Sequence, residues 1–131
     1  MADFPGIGHV AVTVTDLDRS REWYTKLFGS DPVLDEDAGG FYHAAFALGG
    51  GSLFGIHTHP TENDQPRFSE FRTGLDHVAF VLASRSDLES WEQKLDELEI
   101  QHGGIVDAAY GSGLSFRDPD NIALEFFAPP A

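Results

Sequence analysis

Residues 7–14 alternate in character: Val10, Val12 and Val14 point one way, and Ile7, His9, Ala11 and Thr13 the other. That is a strand with one greasy face. Asp16 or Asp18 can cap the helix that follows, Trp23, Leu27 and Phe28 mark its apolar stripe, and Gly29 with Pro32 stops it. A strand near Val33 is expected next, then one over residues 39–47. The run Gly49-Gly50-Gly51 forces a tight connection into a strand over 52–58.

After a polar, proline-containing stretch the same order returns. A strand is predicted over 75–82, then a helix with Ser86 and Glu89 as a capping box and Leu88, Trp91, Leu95 and Leu98 as its stripe. Gly103-Gly104 should end that connection, with His102 reading as a helix end. Strands near 105–107, 113–117 and 122–127 follow. The last two are joined by Asp118-Pro119-Asp120-Asn121, where Asn tolerates a positive φ.

The recurrence is also literal. Residues 6–27 repeat without gaps as 74–95, and seven of these 22 pairs are identical: Gly6/Gly74, His9/His77, Val10/Val78, Ala11/Ala79, Trp23/Trp91, Lys26/Lys94 and Leu27/Leu95. Ordinary composition would give about one or two. The chain is therefore read as α+β, two tandem βαβββ modules (5–59 and 74–128) joined by a linker at 60–73 within one domain. Modules of about 60 residues are marginal alone, so the two should share a core or dimerise. Trp23 and Trp91, at matched helix positions, read as core.

The strand faces carry the chemistry. His77 shares its face with Ala79, Val81 and Ala83, and Glu125 is in phase with Ala123, while the bulky residues point away. A carboxylate inside an apolar run needs a cation or donors nearby. His9 and His77, one per module, are the available imidazoles. Two histidines and a carboxylate facing a cavity suit a divalent ion, Fe, Mn, Co, Ni or Zn, with positions left for water or substrate. Carried onward, the offset of 68 sets His57 level with Glu125 as a fourth ligand or a proton carrier, although Gly55 and His59 share its parity and a slip of two residues would exchange them. His43, Tyr110 and Arg72 are candidate groups lining the substrate.

Composition narrows the partners. Eight basic against 22 acidic residues give a net charge of −14, which repels phosphate backbones and anionic lipid, so neither nucleic acid nor a membrane is expected. The absence of cysteine removes disulfides and thiolate chemistry. No secretory leader is read in the first residues and no apolar run is long enough to span a bilayer, so a cytoplasmic location is expected.

Three stretches carry a family resemblance. Gly8-His9-Val10-Ala11-Val12-Thr13-Val14 with Asp16-Leu17, Trp23-Tyr24 and Leu27-Phe28-Gly29 is the first, and Leu75-Asp76-His77-Val78-Ala79-Phe80 the second. Phe116-Arg117-Asp118-Pro119-Asp120-Asn121-Ile122-Ala123-Leu124-Glu125 is the third. Together they resemble the vicinal oxygen chelate superfamily, which includes glyoxalase I, methylmalonyl-CoA epimerase, fosfomycin-resistance enzymes, extradiol dioxygenases and bleomycin-resistance proteins. The resemblance implies a cupped, barrel-like mixed sheet with helices outside, and a homodimer. It places metal ligands at His9, His77 and Glu125, and a small substrate chelating the ion through two oxygens. Isomerase, lyase or dioxygenase chemistry would suit such a centre; the alternative is a non-catalytic drug-binding protein of the bleomycin-resistance type. Glyoxalases and epimerases carry Glu or Gln at the fourth position, where the repeat sets His57.

Overall fold

The structure, a computed structural model, describes residues 4–61 and 67–130; residues 62–66 of the expected linker lie outside them. The chain divides into two compact units, Met1–Asp64 and Gln65–Ala131. Among the described residues eight strands hydrogen-bond as two four-stranded mixed sheets, one per unit, and each unit carries an α-helix. Among the described residues no helix is long and apolar enough to cross a membrane.

Unit one runs β1 (His9–Thr13), α1 (Leu17–Phe28), β2 (Leu34–Asp37), β3 (Tyr42–Ala47), β4 (Leu53–Thr58). The sheet order is β1-β4-β3-β2, with β1 parallel to β4 and the other pairs antiparallel. The alternation in β1 holds: Val12 and Val14 are buried, while His9, Ala11 and Thr13 are exposed. Asp16 is the N-cap of α1 and accepts the Arg19 N–H at 3.1 Å. Gly29 closes the helix at φ 72°, donating its N–H to the Thr25 carbonyl. The stripe that α1 buries is Ser20, Tyr24 and Leu27. Trp23, expected in the core, is half-buried and meets Tyr24 edge-on at 4.8 Å. Tyr24 packs on Phe46 and Phe54, ring centroids 6.3 and 5.1 Å away, so the greasy face lies under the helix and the other face stays clear of it.

Unit two repeats the plan as β5 (Val78–Val81), α2 (Arg85–Glu97), β6 (His102–Ala108), β7 (Gly111–Arg117), β8 (Ala123–Ala128), in the order β5-β8-β7-β6. The N-cap of α2 is Ser84, so the expected Ser86–Glu89 capping box does not form. Ser86 instead meets the Ser84 hydroxyl at 2.9 Å, and Glu89 pairs with Arg85 one turn away at 3.1 Å. Gly103-Gly104, expected to end the connection, lies inside β6, where Gly104 has φ 77° and the pairing with β7 shifts between His102 and Ile105. His102 therefore sits on a strand, not at a helix end. Its Nε2 donates to Asp96 at 2.7 Å while its Nδ1 accepts the Gly104 N–H. The turn at 118–121 forms as expected: Asp118 Oδ1 accepts two backbone N–H groups at 2.8 Å, and Asn121 has φ 68°.

One ion pair on this framework has a pH signature. Arg85 reaches from α2 to Asp107 on β6 with contacts of 2.7 and 3.1 Å, and the Ser112 hydroxyl donates to the same carboxylate at 2.5 Å. The guanidinium first, and then the hydroxyl, lower the Asp107 pKa from 3.8 to about 2. A folded pKa below the unfolded one favours the fold above about pH 4, and that contribution is lost as pH falls through about 2. Melting curves of the native chain and Asp107→Asn should therefore differ near pH 6 and converge by about pH 2. A gap of constant size across that window would show that this carboxylate does not carry the effect.

Candidate functional site

In unit two, Glu125 lies on the β8 face turned away from α2, paired with Ala79 of β5 on one side and Ser115 of β7 on the other. These neighbours are small, and a third position is bare: a Cβ on Gly113 would come within 3.3 Å of the Glu125 carboxyl carbon. The carboxylate thus lies across the strand at Gly113. Glu125 is half-buried, so its desolvation cost is smaller than its apolar sequence context suggests. His77 stands just ahead of β5, two residues before Ala79 and so on the Glu125 face by alternation. Its Nδ1 is 2.7 Å from Asp76 Oδ1.

In unit one, His9 pairs with Leu53 at the start of β1. His57 pairs with Thr13 and His43, and these residues share the face opposite α1. The His43 and His57 rings are 5.1 Å apart, and Phe41 lies parallel to His57 at 5.0 Å and 9°. Burial first, and then the charges that His43, His59 and His9 would carry, push the His57 pKa below the ordinary histidine value. This imidazole is neutral near pH 7.

The two units also reveal a register difference. The Val14 N–H donates to the His57 carbonyl and the Leu82 N–H to the Phe127 carbonyl, both at 2.8 Å. Val14 and Leu82 are 68 residues apart, but His57 and Phe127 are 70 apart. Likewise Ala11 pairs with Gly55, and Ala79 with Glu125. The position equivalent to Glu125 is therefore Gly55, and His57, expected there, stands two residues further on. The two extra residues enter between Leu95, 68 after Leu27, and Ile105, 70 after Asp35: α2 is longer than α1 and the β6–β7 pairing shifts between His102 and Ile105. His57 nevertheless leans back over the bare position: a Cβ on Gly55 would lie 3.5 Å from its Nε2.

The structure thus brings His9, His43 and His57 onto one face of unit one, and in unit two sets Glu125 beside Ala79, two residues after His77. Tyr110, in the β6–β7 turn, is exposed and parallel to Phe127 at 6.3 Å. Arg72 donates to the Arg67 carbonyl at 2.6 Å, in a segment that anchors to the 118–121 turn through the Phe68 backbone and a Glu70–Arg117 pair. Within each unit, among the described residues, no group of three or more His, Asp or Glu side chains is arranged to hold a metal ion. The three candidate ligands are divided, His9 in one unit and His77 with Glu125 in the other. Two partners were missed from sequence: Phe41, which carried no signal, and Asp76, whose signal was its place directly before His77.

The family model of the Glyoxalase/Bleomycin resistance protein/Dioxygenase superfamily matches residues 6–126. The chain belongs to this superfamily. It is 28% identical over 123 residues to MhqA of Bacillus subtilis (strain 168), which carries the name of a ring-cleaving dioxygenase; the match covers 93% of this chain but 39% of that protein. The chain thus spans about two fifths of that relative's length. It is 27% identical over 122 residues to the metallothiol transferase FosB of Staphylococcus haemolyticus, covering 92% of this chain and 81% of that one. A solved glyoxylase/bleomycin resistance protein/dioxygenase domain from Frankia sp. EAN1pec superposes with a TM-score of 0.87 at 32% identity, covering 98% of this chain and 100% of the other. Relatives within the superfamily thus bear the names of different activities on one fold.

Proposed function

We propose that the chain is a metal-dependent enzyme of its superfamily, with His9, His77 and Glu125 as ligands to a divalent ion, Fe, Mn, Co, Ni or Zn. What supports this most is that Glu125 faces Ala79, Gly113 and Ser115 on the strands beside it, while His77 stands directly before β5, in phase with Ala79. His9 occupies the equivalent place in unit one: it pairs with Leu53, and since Val78 pairs with Leu124, carrying that register back one residue would set His77 against Ala123, 70 positions after Leu53. Two imidazoles and a carboxylate fit a borderline divalent ion and leave further coordination positions free. When bound, such an ion supplies Lewis-acid stabilisation to a small substrate held through two neighbouring oxygens.

The chain's own residues do the rest. Glu125 contributes the negative charge that offsets the ion, and Ala79 and Gly113 leave room for a substrate beside it. His57, neutral near pH 7, is the proton carrier in this reading, and His43, Tyr110 and Arg72 are its substrate-lining candidates. The ligands come from both units of one chain or from two chains of a homodimer, and the substrate is a small molecule in a cytoplasmic setting. Isomerase, lyase and dioxygenase chemistry all use such a centre.

Metal titration of protein purified without chelator tests the proposal. One divalent ion per chain is expected, with His9→Ala, His77→Ala and Glu125→Ala each weakening it by about 100-fold or more while the melting temperature of the metal-free protein stays put. A protein that takes up no metal, yet holds an aromatic antibiotic tightly, would overturn this in favour of a resistance-type binder.

A further inference from the structure

We propose that Asp76 is a positioning residue that readies His77 for metal, making the two histidines of the proposed centre chemically unequal. This rests on the metal-centre reading above.

The geometry is direct. His77 Nδ1 is 2.7 Å from Asp76 Oδ1, the length of a charge-assisted bond. An ionised carboxylate only accepts, so Nδ1 must be the protonated nitrogen and Nε2 carries the free lone pair. The bond therefore fixes the tautomer, restrains the ring and makes Nε2 the better electron donor, as carboxylates behind ligating histidines do.

Unit one differs at the matching position. The residue 68 positions before Asp76 is Gly8, which has no side chain to offer His9. A duplication that kept both imidazoles thus differs in what stands directly before each of them.

Two measurements separate this inference from the metal reading. In metal-free protein, nitrogen NMR of the imidazoles should find the His77 proton on Nδ1, and Asp76→Ala should abolish that preference. Zinc or cobalt titration should then show Asp76→Ala weakening affinity by about 10- to 100-fold with the melting temperature unchanged, Asp76→Glu recovering most of the loss. A native His77 protonated mainly on Nε2, or affinity unmoved by Asp76→Ala in a chain that does bind metal, would overturn the role of Asp76. A native chain that binds neither ion, with the Nδ1 proton in place, would overturn the metal centre and this role with it.

Discussion

Replacing Gly111 by alanine should destabilise unit two by about 3–5 kcal/mol, combining backbone strain with overpacking. Gly111 opens β7 at φ 144°, a conformation side chains rarely adopt, and an added Cβ would lie 2.6 Å from the Ala128 carbonyl oxygen and against the Phe127 ring. A ring can turn aside; a carbonyl fixed in the β7–β8 ladder cannot, so the strand itself must move. Displacing β7 also shifts Gly113 and Ser115, the residues beneath and beside Glu125. Loss of stability should thus be accompanied by weaker metal binding. Urea unfolding measures the first effect. Gly49→Ala is the control, with no heavy atom within 4 Å of its added Cβ, and should stay within about 0.5 kcal/mol. Equal effects at the two glycines would refute the packing argument.

Phe54→Ala should cost a similar amount, about 3–5 kcal/mol. Phe54 is fully buried on β4, with Tyr24 and Phe28 ring centroids at 5.1 and 5.7 Å, so truncation leaves a cavity that α1 cannot close without moving off the sheet. Its neighbour Leu53 points to the opposite face and is 37% exposed, and Leu53→Ala should cost about 1 kcal/mol or less. A small loss at Phe54, or matching losses at both, would mean that the greasy face is not the one the helix covers. Because Leu53 pairs with His9, its truncation is the one expected to touch the proposed centre.

Much of this was legible in the chain. The alternation around Val12 and Val14, the Asp16 cap, the Gly29 stop, the triple glycine and the Asp118–Asn121 turn are local devices, and each sits where local chemistry put it. What failed also failed locally. A capping box at Ser86 was as consistent with the sequence as a cap at Ser84; in the structure the helix begins at Arg85, which pairs with Glu89 and Asp107. Gly103-Gly104 read as a stop, but pairing with β7 absorbed it as a bulge.

The duplication itself and the two βαβββ modules were determined by sequence alone, and the proposed set of His9, His77 and Glu125 was chosen there, because repeated residues and strand parity survive without knowledge of long-range contacts. Only the tertiary structure decided register. A two-residue lengthening between Leu95 and Ile105 is silent in a pattern of period two, since every later side chain keeps its face. Strand pairing alone reveals that Gly55, not His57, stands level with Glu125.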